Sequence, residues 1–486
     1  MDAAQEKEQE INVVMVPWLA QGHINPFINL CKTLASHGAV RLSFVSTPVN
    51  ISRTRARFHG DQPIELLELA LPLVDGLPLG AECTSDIKPE MSHLLHAAFG
   101  RLEKPFENLL RRLSPDFVIH DLPAHWAGAV AAKLGIPSLV FDVYSPVASS
   151  YVLSQARSHG SGSGTTKTPE DLTRPPPDYP SAAISWRLFE ARQVLRLFVP
   201  GHGGAKVTDF MWAAYQRSSG ILIKSCFEEE EKYLQYLRDG TGKPVISAGP
   251  LMLPLPGVPV QDKPDPVSDS GGYIIRWLDK QQPCSVVFAS FGSESFLTGE
   301  QIKELASALE DSGLPFLWSL RVCDGTSSLS SLLPEGFEAR TRDRGLVVGG
   351  WVPQVRIVSH LSVGCYVTHG GWSSVMEAWF YSGLPLVLIP LLHDQGLNCR
   401  QVAQELMAGL EVDRASENGS FRKEDVTMAV MTVMAEENTG AKIRLKVKQL
   451  RDQIIVNTGR QQMITQSLVK HMRKVLVDRK DGISSP

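Results

Sequence analysis

What most constrains this chain is a repeated order: a short, nearly continuous apolar run, a turn rich in Gly, His or Asp, a helix-length stretch, then another apolar run. INVVMVPW is followed by PFINLCKTLASHG and then VRLSFVSTP; DFVIHDLPAHW is followed by AGAVAAKLGIP and SLVFDVY. Apolar runs that do not alternate with polar residues are strands covered on both faces, and strands separated by helices pair in parallel. The predicted class is therefore α/β, a doubly wound parallel sheet with helices on both faces. After a stretch rich in Pro, Gly and Asp the alternation resumes with SVVFASFG and continues through PFLWSLR, GLVVGGWVP, GCYVTHGG and LPLVLIP.

At 486 residues the chain exceeds the roughly 250–300 at which one hydrophobic core stops growing, so two domains are predicted. The break is placed in residues 251–272, LMLPLPGVPVQDKPDPVSDSGG, whose composition is that of a linker. Residues 158–168, SHGSGSGTTKT, and the prolines at 175–180 read as a surface loop that interrupts the first domain without ending it.

A formal net charge of −4 with no basic stripe gives no electrostatic case for nucleic acid or an anionic membrane as partner. The first ten residues are polar and acidic, unlike a secretory signal. The longest strongly apolar stretch, near 384–392, is about half of the roughly 20 residues that a membrane helix needs. A cytoplasmic, metal-free protein without a membrane partner is expected. Seven cysteines (31, 83, 226, 284, 323, 365 and 399) include no Cys-x-x-Cys pair, which argues against a zinc site and against a disulfide framework.

Two loops invite phosphate. In GCYVTHGGWSSVMEAWFYSG an apolar strand runs into His369, two glycines and a stretch able to be helical from about Ser373. Glycines let backbone approach a ligand, and a helix start offers unpaired N–H groups; the same pattern also describes a tight turn with serine caps. In SVVFASFGSESFLTGEQIKEL a strand ends at Gly292-Ser293, and Thr298 with Gln301 forms a possible capping box. Both loops leave the carboxyl ends of parallel strands, the edge where open α/β sheets bind ligands. G-x-G-x-x-G, the Walker motif and G-x-S-x-G are all missing, which weakens oxidoreductase, NTPase and esterase readings.

From Trp351 onward, WVPQVRIVSHLSVGCYVTHGGWSSVMEAWFYSGLPLVLIPLLHDQGLNCRQV resembles the signature box of plant secondary-product UDP-glycosyltransferases. VSTPVNISR and LPLVDGLPLGAECTSD are similar to the branch that extends existing glycosides. The resemblance implies glycosyltransferase-B architecture: an acceptor-binding Rossmann-like domain over 1–250, a UDP-sugar-binding Rossmann-like domain over 273–460, a cleft between them, and a C-terminal helix at 461–486 packing back on the first domain. It implies that Trp351 stacks on uracil, with Val352 and Gln354 beside it, and that Glu377 takes the ribose hydroxyls. His369, Ser374 and Ser293 would hold the diphosphate with Trp372 and Ser373 alongside, and Asp394 and Gln395 the sugar. UDP-sugar is then a co-substrate, with no further cofactor.

Two departures stand out. Ser373 occupies a position where the family usually has Asn, which predicts altered donor binding. The Glu377-to-Asp394 interval is also one residue longer than usual.

His23, in the turn AQGHINP after the first strand, and Asp121, at the end of DFVIHD, match the family's general base and its partner carboxylate. Taken alone, they would read as a turn histidine and a helix N-cap. His120 and His125 read as pocket or structural residues. Trp18, Leu94, Tyr144, Ser145 and Phe198 are acceptor-pocket candidates by position, although core packing explains each as well.

The expected activity is inverting, metal-independent transfer of a sugar, glucose foremost, from UDP to a flavonoid, other phenolic, terpenoid or existing glycoside. The protein is expected to be a monomer. Two rivals are a catalytically impaired UDP-sugar-binding protein and a retaining transferase or phosphorylase of similar architecture.

Overall fold

The computed structural model describes residues 10–58, 64–157, 167–200, 205–252, 271–321 and 329–481. Most of the predicted linker, most of the glycine-serine loop and Cys323 lie outside the described residues. Contacts divide the chain into two compact units: Met1–Ala156 with Val199–Leu251 and Val456–Pro486, and Arg157–Phe198 with Met252–Ile455. The segment Arg157–Phe198, which contains the prolines at 175–180 read from sequence as part of a surface loop interrupting the first domain, thus groups with the second unit.

The first unit holds a parallel seven-stranded sheet, ordered β3-β2-β1-β4-β5-β6-β7. Its strands are β1 (Ile11–Val16), β2 (Val40–Ser46), β3 (Ile64–Glu68), β4 (Phe117–Asp121), β5 (Ser138–Asp142), β6 (Ile221–Ile223) and β7 (Val245–Ser247). Successive side chains on a strand face opposite ways, so β1 feeds two cores. Ile11, Val13 and Met15 join a cluster with Ile24, Phe27 and Ile28 of the helix Gln21–Ala35. Val14 and Val16 join another with Phe106, Trp126 and Ala127. Leu468, Val469 and Met472 of the helix Gln461–Lys480 complete the first cluster, so the last helix is an integral wall of this unit.

The second unit holds a parallel six-stranded sheet, ordered β10-β9-β8-β11-β12-β13. Its strands are β8 (Val286–Ser290), β9 (Phe316–Leu320), β10 (Gly345–Gly349), β11 (Val363–Thr368), β12 (Leu386–Leu388) and β13 (Gly409–Glu411). β8 and β9 are buried at every position, as is β12, which is why their sequences are unbroken apolar runs. The predicted capping box forms: Gln301 N donates to Thr298 Oγ1 at 3.2 Å and Thr298 N to Gln301 Oε1 at 2.9 Å.

In each sheet the strand order reverses once, between β1 and β4 and between β8 and β11. At such a switch point the connections leave to opposite faces and open a crevice beyond the strands' carboxyl ends. Both sequence-derived constellations sit at these two places.

Candidate active site

The turn after β1 begins the first constellation. The sequence places His23 in a turn before a helix starting near Pro26; the structure starts that helix at Gln21, so His23 lies in its first turn and Pro26 inside it. The reason is Ala20, which is extended (φ −139, ψ 140) and whose carbonyl accepts from His23 N at 2.9 Å and Ile24 N at 2.8 Å. Pro26 forfeits a single backbone bond near the helix start, where a proline is most easily tolerated.

His23 is 9% exposed, and its Nδ1 lies 2.8 Å from Asp121 Oδ2. A carboxylate only accepts, so Nδ1 carries the hydrogen and Nε2 is left as the ring's basic nitrogen. Asp121, fully buried at the end of β4, also accepts from Trp18 N at 2.9 Å and Leu122 N at 2.8 Å. It does not cap the following helix His125–Lys133, whose N-cap residue is Ala124. A buried carboxylate with three N–H donors is rigidly aimed and satisfied.

The neighbouring histidines play other parts. His120 is fully buried, with Nδ1 donating to the Asp121 carbonyl at 3.0 Å, and a Cβ at Gly128 would overlap its ring. Burial pushes its pKa down from 6.5 to about 4. His125 stacks on Phe210 with ring centroids 4.5 Å apart. Below pH 6.5 the unfolded chain takes up a proton at His120 that the folded chain refuses until about pH 4, so this contribution is present above 6.5 and lost as pH falls to 4. We predict that the melting-temperature gap between wild type and His120→Asn narrows from pH 7.5 to pH 5. A constant gap would remove His120 from the acid sensitivity of the fold.

Of the acceptor candidates, Tyr144 stands edge-on to His23 at 5.5 Å, and Trp18 is buried and stacked on His96 at 4.0 Å. Ser145 Oγ accepts from Ala148 N at 3.1 Å in the first turn of Pro146–Arg157, and Leu94 is half-buried on Ser92–Gly100. Phe198 belongs to the second unit, buried edge-on to Trp186 at 6.1 Å.

The second constellation gathers at the β8/β11 switch. Gln354 is its hub: Nε2 donates to Glu377 Oε2 at 2.9 Å and to Ser374 Oγ at 3.4 Å, while Tyr366 OH donates to its Oε1 at 3.4 Å and Ser290 Oγ at 3.5 Å. Burial and the nearby Glu377 carboxylate push the Tyr366 phenol up to about 12, so it stays a donor. Trp351 projects beside this cluster in sequence with 76% of its surface exposed, whereas Val352 and Trp372 are buried. An indole that large is ordinarily covered.

His369, 8% exposed, follows β11, and burial pushes its pKa down to about 4, so at neutral pH it acts as an uncharged N–H donor. Gly292 (φ 75) and Gly370 (φ 79) adopt left-handed backbone that other residues resist. A Cβ at Gly292 would lie 2.8 Å from the His369 ring. The helix Trp372–Ser382 has Gly371 as its N-cap residue, which has no side chain to cap it, so the helix opens on backbone N–H groups. Ser373 and Ser374 lie in that first turn, and Gly383 (φ 68) closes the helix. Ser293, next to Gly292, receives a hydrogen bond from Arg321 at its carbonyl.

Asp394 Oδ2 accepts from Asn398 Nδ2 at 2.8 Å, and the same amide reaches the Gly370 carbonyl at 3.1 Å. Gln395 Oε1 accepts from Leu391 N at 2.9 Å and Leu392 N at 2.8 Å, and Nε2 donates to Ser295 Oγ at 3.2 Å. Four residues were therefore missed by sequence reading: Ser290, Ser295, Tyr366 and Asn398. Asn398 was legible as the i+4 partner of Asp394, and Tyr366 as sharing a strand face with Thr368; the two serines carry no local signal.

The model of the UDP-glucoronosyl and UDP-glucosyl transferase family matches residues 278–452, and that of the glycosyltransferase N-terminal domain matches 9–173. The anthocyanidin-3-O-glucoside rhamnosyltransferase of Petunia hybrida is 36% identical over 470 residues, 95% of this chain and 96% of that one. The chain belongs to the plant UDP-dependent glycosyltransferases. Glycine max UDP-glycosyltransferase 79A6 is 38% identical over 88% of this chain and 89% of its own. Among solved structures, Glycyrrhiza uralensis UGT73P12, complexed with glycyrrhetinic acid 3-O-monoglucuronide, superimposes with a TM-score of 0.80 at 25% identity, covering 98% of each chain. This transferase has the glycosyltransferase-B fold, acts on small-molecule acceptors and uses a UDP-sugar as co-substrate. Among the described residues no helix is long and apolar enough to cross a membrane.

Proposed function

We propose that this transferase moves glucose from UDP-glucose to a hydroxyl of a flavonoid or terpenoid glycoside, with inversion and without a metal ion. The observation that carries this reading is the buried His23–Asp121 pair at 2.8 Å. His23 Nε2 takes the acceptor's hydroxyl proton, and the freed oxygen pair attacks the anomeric carbon of the α-linked sugar. The bond from that carbon to the β-phosphate oxygen breaks, its electrons leave with UDP, and a β-glycoside results. Asp121 stabilises the imidazolium formed in this step and keeps its ring in place.

On the donor side, Trp351 offers the uracil an indole face and Val352 an adjacent apolar contact, while Glu377 accepts from the ribose diol. Gln354 fixes the Glu377 carboxylate. His369, Ser293, Ser373, Ser374 and the N–H groups opening the helix at Trp372 neutralise the leaving diphosphate, which replaces what a cation would do. Asp394 and Gln395 receive the sugar hydroxyls. Because the Gln395 oxygen is already taken by two backbone N–H groups, this side chain serves the sugar through its N–H.

Two relatives support a glycosylated acceptor: one is named for an anthocyanidin 3-O-glucoside, and the other was solved with glycyrrhetinic acid 3-O-monoglucuronide. The test is product mass spectrometry after incubation with UDP-glucose, UDP-galactose, UDP-rhamnose or UDP-xylose and a panel of flavonoids, terpenoids and their glycosides, in the presence of EDTA. The expected product gains one hexose from UDP-glucose and shows a β-anomeric proton coupling. An α-linkage, or transfer abolished by EDTA, would overturn the mechanism; UDP binding without any product would favour an impaired donor-binding protein.

A further inference from the structure

Resting on that reading of Asp394 and Gln395, we propose that Trp186 and Glu190 are positioning residues for the sugar: they clamp the 393–400 turn from behind and so set how well one hexose is distinguished from another. Both lie in residues 157–198, far away in sequence and outside every motif read from it. Yet this segment groups with the second unit, against the turn that follows β12.

Two anchors do this independently. Trp186, 1% exposed, donates its indole N–H to the His393 carbonyl at 3.2 Å. His393 has φ 54, a conformation costly for a residue with a side chain and stable only where surroundings impose it. It immediately precedes Asp394, so its backbone sets the direction in which that carboxylate leaves the chain. The second anchor is Glu190, whose Oε2 pairs with Arg400 and accepts from Arg187 N at 2.8 Å. Arg400 is 3% exposed at its side chain and ends the helix Gln395–Arg400. Its other branch reaches Glu411 Oε1 at 3.4 Å on β13. The Glu190 carboxylate also presses on the backbone of that helix: a Cβ at Gly396 would meet it at 2.6 Å. Glycine at 396 therefore leaves the room that the clamp occupies.

The α-helical stretch Gln395–Arg400 runs directly into the π-helical stretch Gln401–Glu405, so the regular turn beside the two sugar contacts is brief and its orientation depends on what it is tied to. A misdirected pair costs contacts to the hexose hydroxyls and leaves the nucleotide contacts untouched.

The experiment compares wild type, Trp186→Phe, Glu190→Gln and Asp394→Ala, using the donor and acceptor pair that the product screen identifies. Trp186→Phe removes the N–H while keeping an aromatic ring, and Glu190→Gln removes the charge while keeping an acceptor for Arg187 N. For each of the two we expect donor kcat/KM to fall about tenfold, as befits a lost buried hydrogen bond or ion-pair partner. The inhibition constant of UDP should stay within about twofold, and the preference for UDP-glucose over UDP-galactose, which differ at one hydroxyl, should shrink about fivefold.

Unchanged kcat/KM in both variants, or UDP affinity falling in parallel with it, would overturn the clamp; the latter would assign these residues to general stability. Asp394→Ala separates the two levels. If it too leaves donor kcat/KM unchanged, the reading of the sugar contacts itself fails, whereas a large effect there beside silent clamp variants sinks only the clamp.

Discussion

Replacing His23 by alanine is expected to lower kcat about 10³-fold, within the span that general-base catalysis contributes, which corresponds to roughly 4 kcal/mol of barrier. The melting temperature should move by only a few degrees, because the buried Asp121 carboxylate keeps its two backbone donors, Trp18 N and Leu122 N, when the His23 N–H is lost. The affinity for UDP should not change, since all the proposed nucleotide contacts belong to the other compact unit. The chemistry adds a sharper expectation. An acceptor phenol of lower pKa is already partly ionised and needs the base less, so the variant should retain more activity on acidic phenols than on aliphatic hydroxyls. Added imidazole should restore part of the rate by occupying the vacated space. Steady-state kinetics across a graded series of acceptors reads both effects. Equal losses on every acceptor, or a loss under tenfold on an aliphatic alcohol, would remove His23 from the proton transfer.

The sheets were legible because burial writes itself into sequence as an unbroken apolar run. β1, β4, β5, β8, β9 and β11 all coincide with runs such as INVVMV and SVVFAS. Where the chain turns, backbone geometry overrides composition. Pro26 marks a helix start by its usual habit, yet extended Ala20 moved the start to Gln21 and carried His23 from a turn into a helix. The capping box at Thr298 was readable since its two bonds lie three residues apart.

The cluster around Gln354 was readable for a different reason: one contiguous box from Trp351 to Gln395 supplies most of its members. Its support comes from elsewhere, and local pattern contains no trace of that. Gln395 meets Ser295 100 residues away, and Trp186 meets His393 207 residues away. Such pairs arise from topology, which brings the carboxyl ends of β8, β11 and β12 together and leaves a neighbouring segment to cover them. The same cause hides where the stretch after the prolines at 175–180 belongs: Ile184, Trp186 and Phe189 are buried, and the segment groups with the second unit.

Asp121→Asn should cost at least as much activity as losing His23, by a route visible in the hydrogen bonds. Asp121 accepts three times: from His23 Nδ1 and Trp18 N at Oδ2, and from Leu122 N at Oδ1. An amide has one oxygen and two hydrogens to offer. With its oxygen toward His23 and Trp18, its NH2 faces the Leu122 N–H, leaving a buried donor unpaired at about 1–3 kcal/mol. With the amide flipped, NH2 faces His23, and the imidazole must turn its lone pair to Nδ1 and its hydrogen to Nε2. That tautomer presents a donor where the acceptor's proton should arrive. Either arrangement also removes the negative charge that stabilises the imidazolium. We expect kcat to fall on the order of 10³–10⁴-fold, as for a carboxylate–histidine pair given the wrong tautomer. In the flipped case the Nδ1 proton signal of His23 disappears from the nitrogen-correlated spectrum, and in the unflipped case it survives; the melting temperature falls in both, because the NH2 leaves either Trp18 N–H or Leu122 N–H without its acceptor. Activity within tenfold of wild type, with the His23 Nδ1 proton still observed, would show that the Asp121 charge does not serve the reaction and that its three hydrogen bonds serve only to shape the turn.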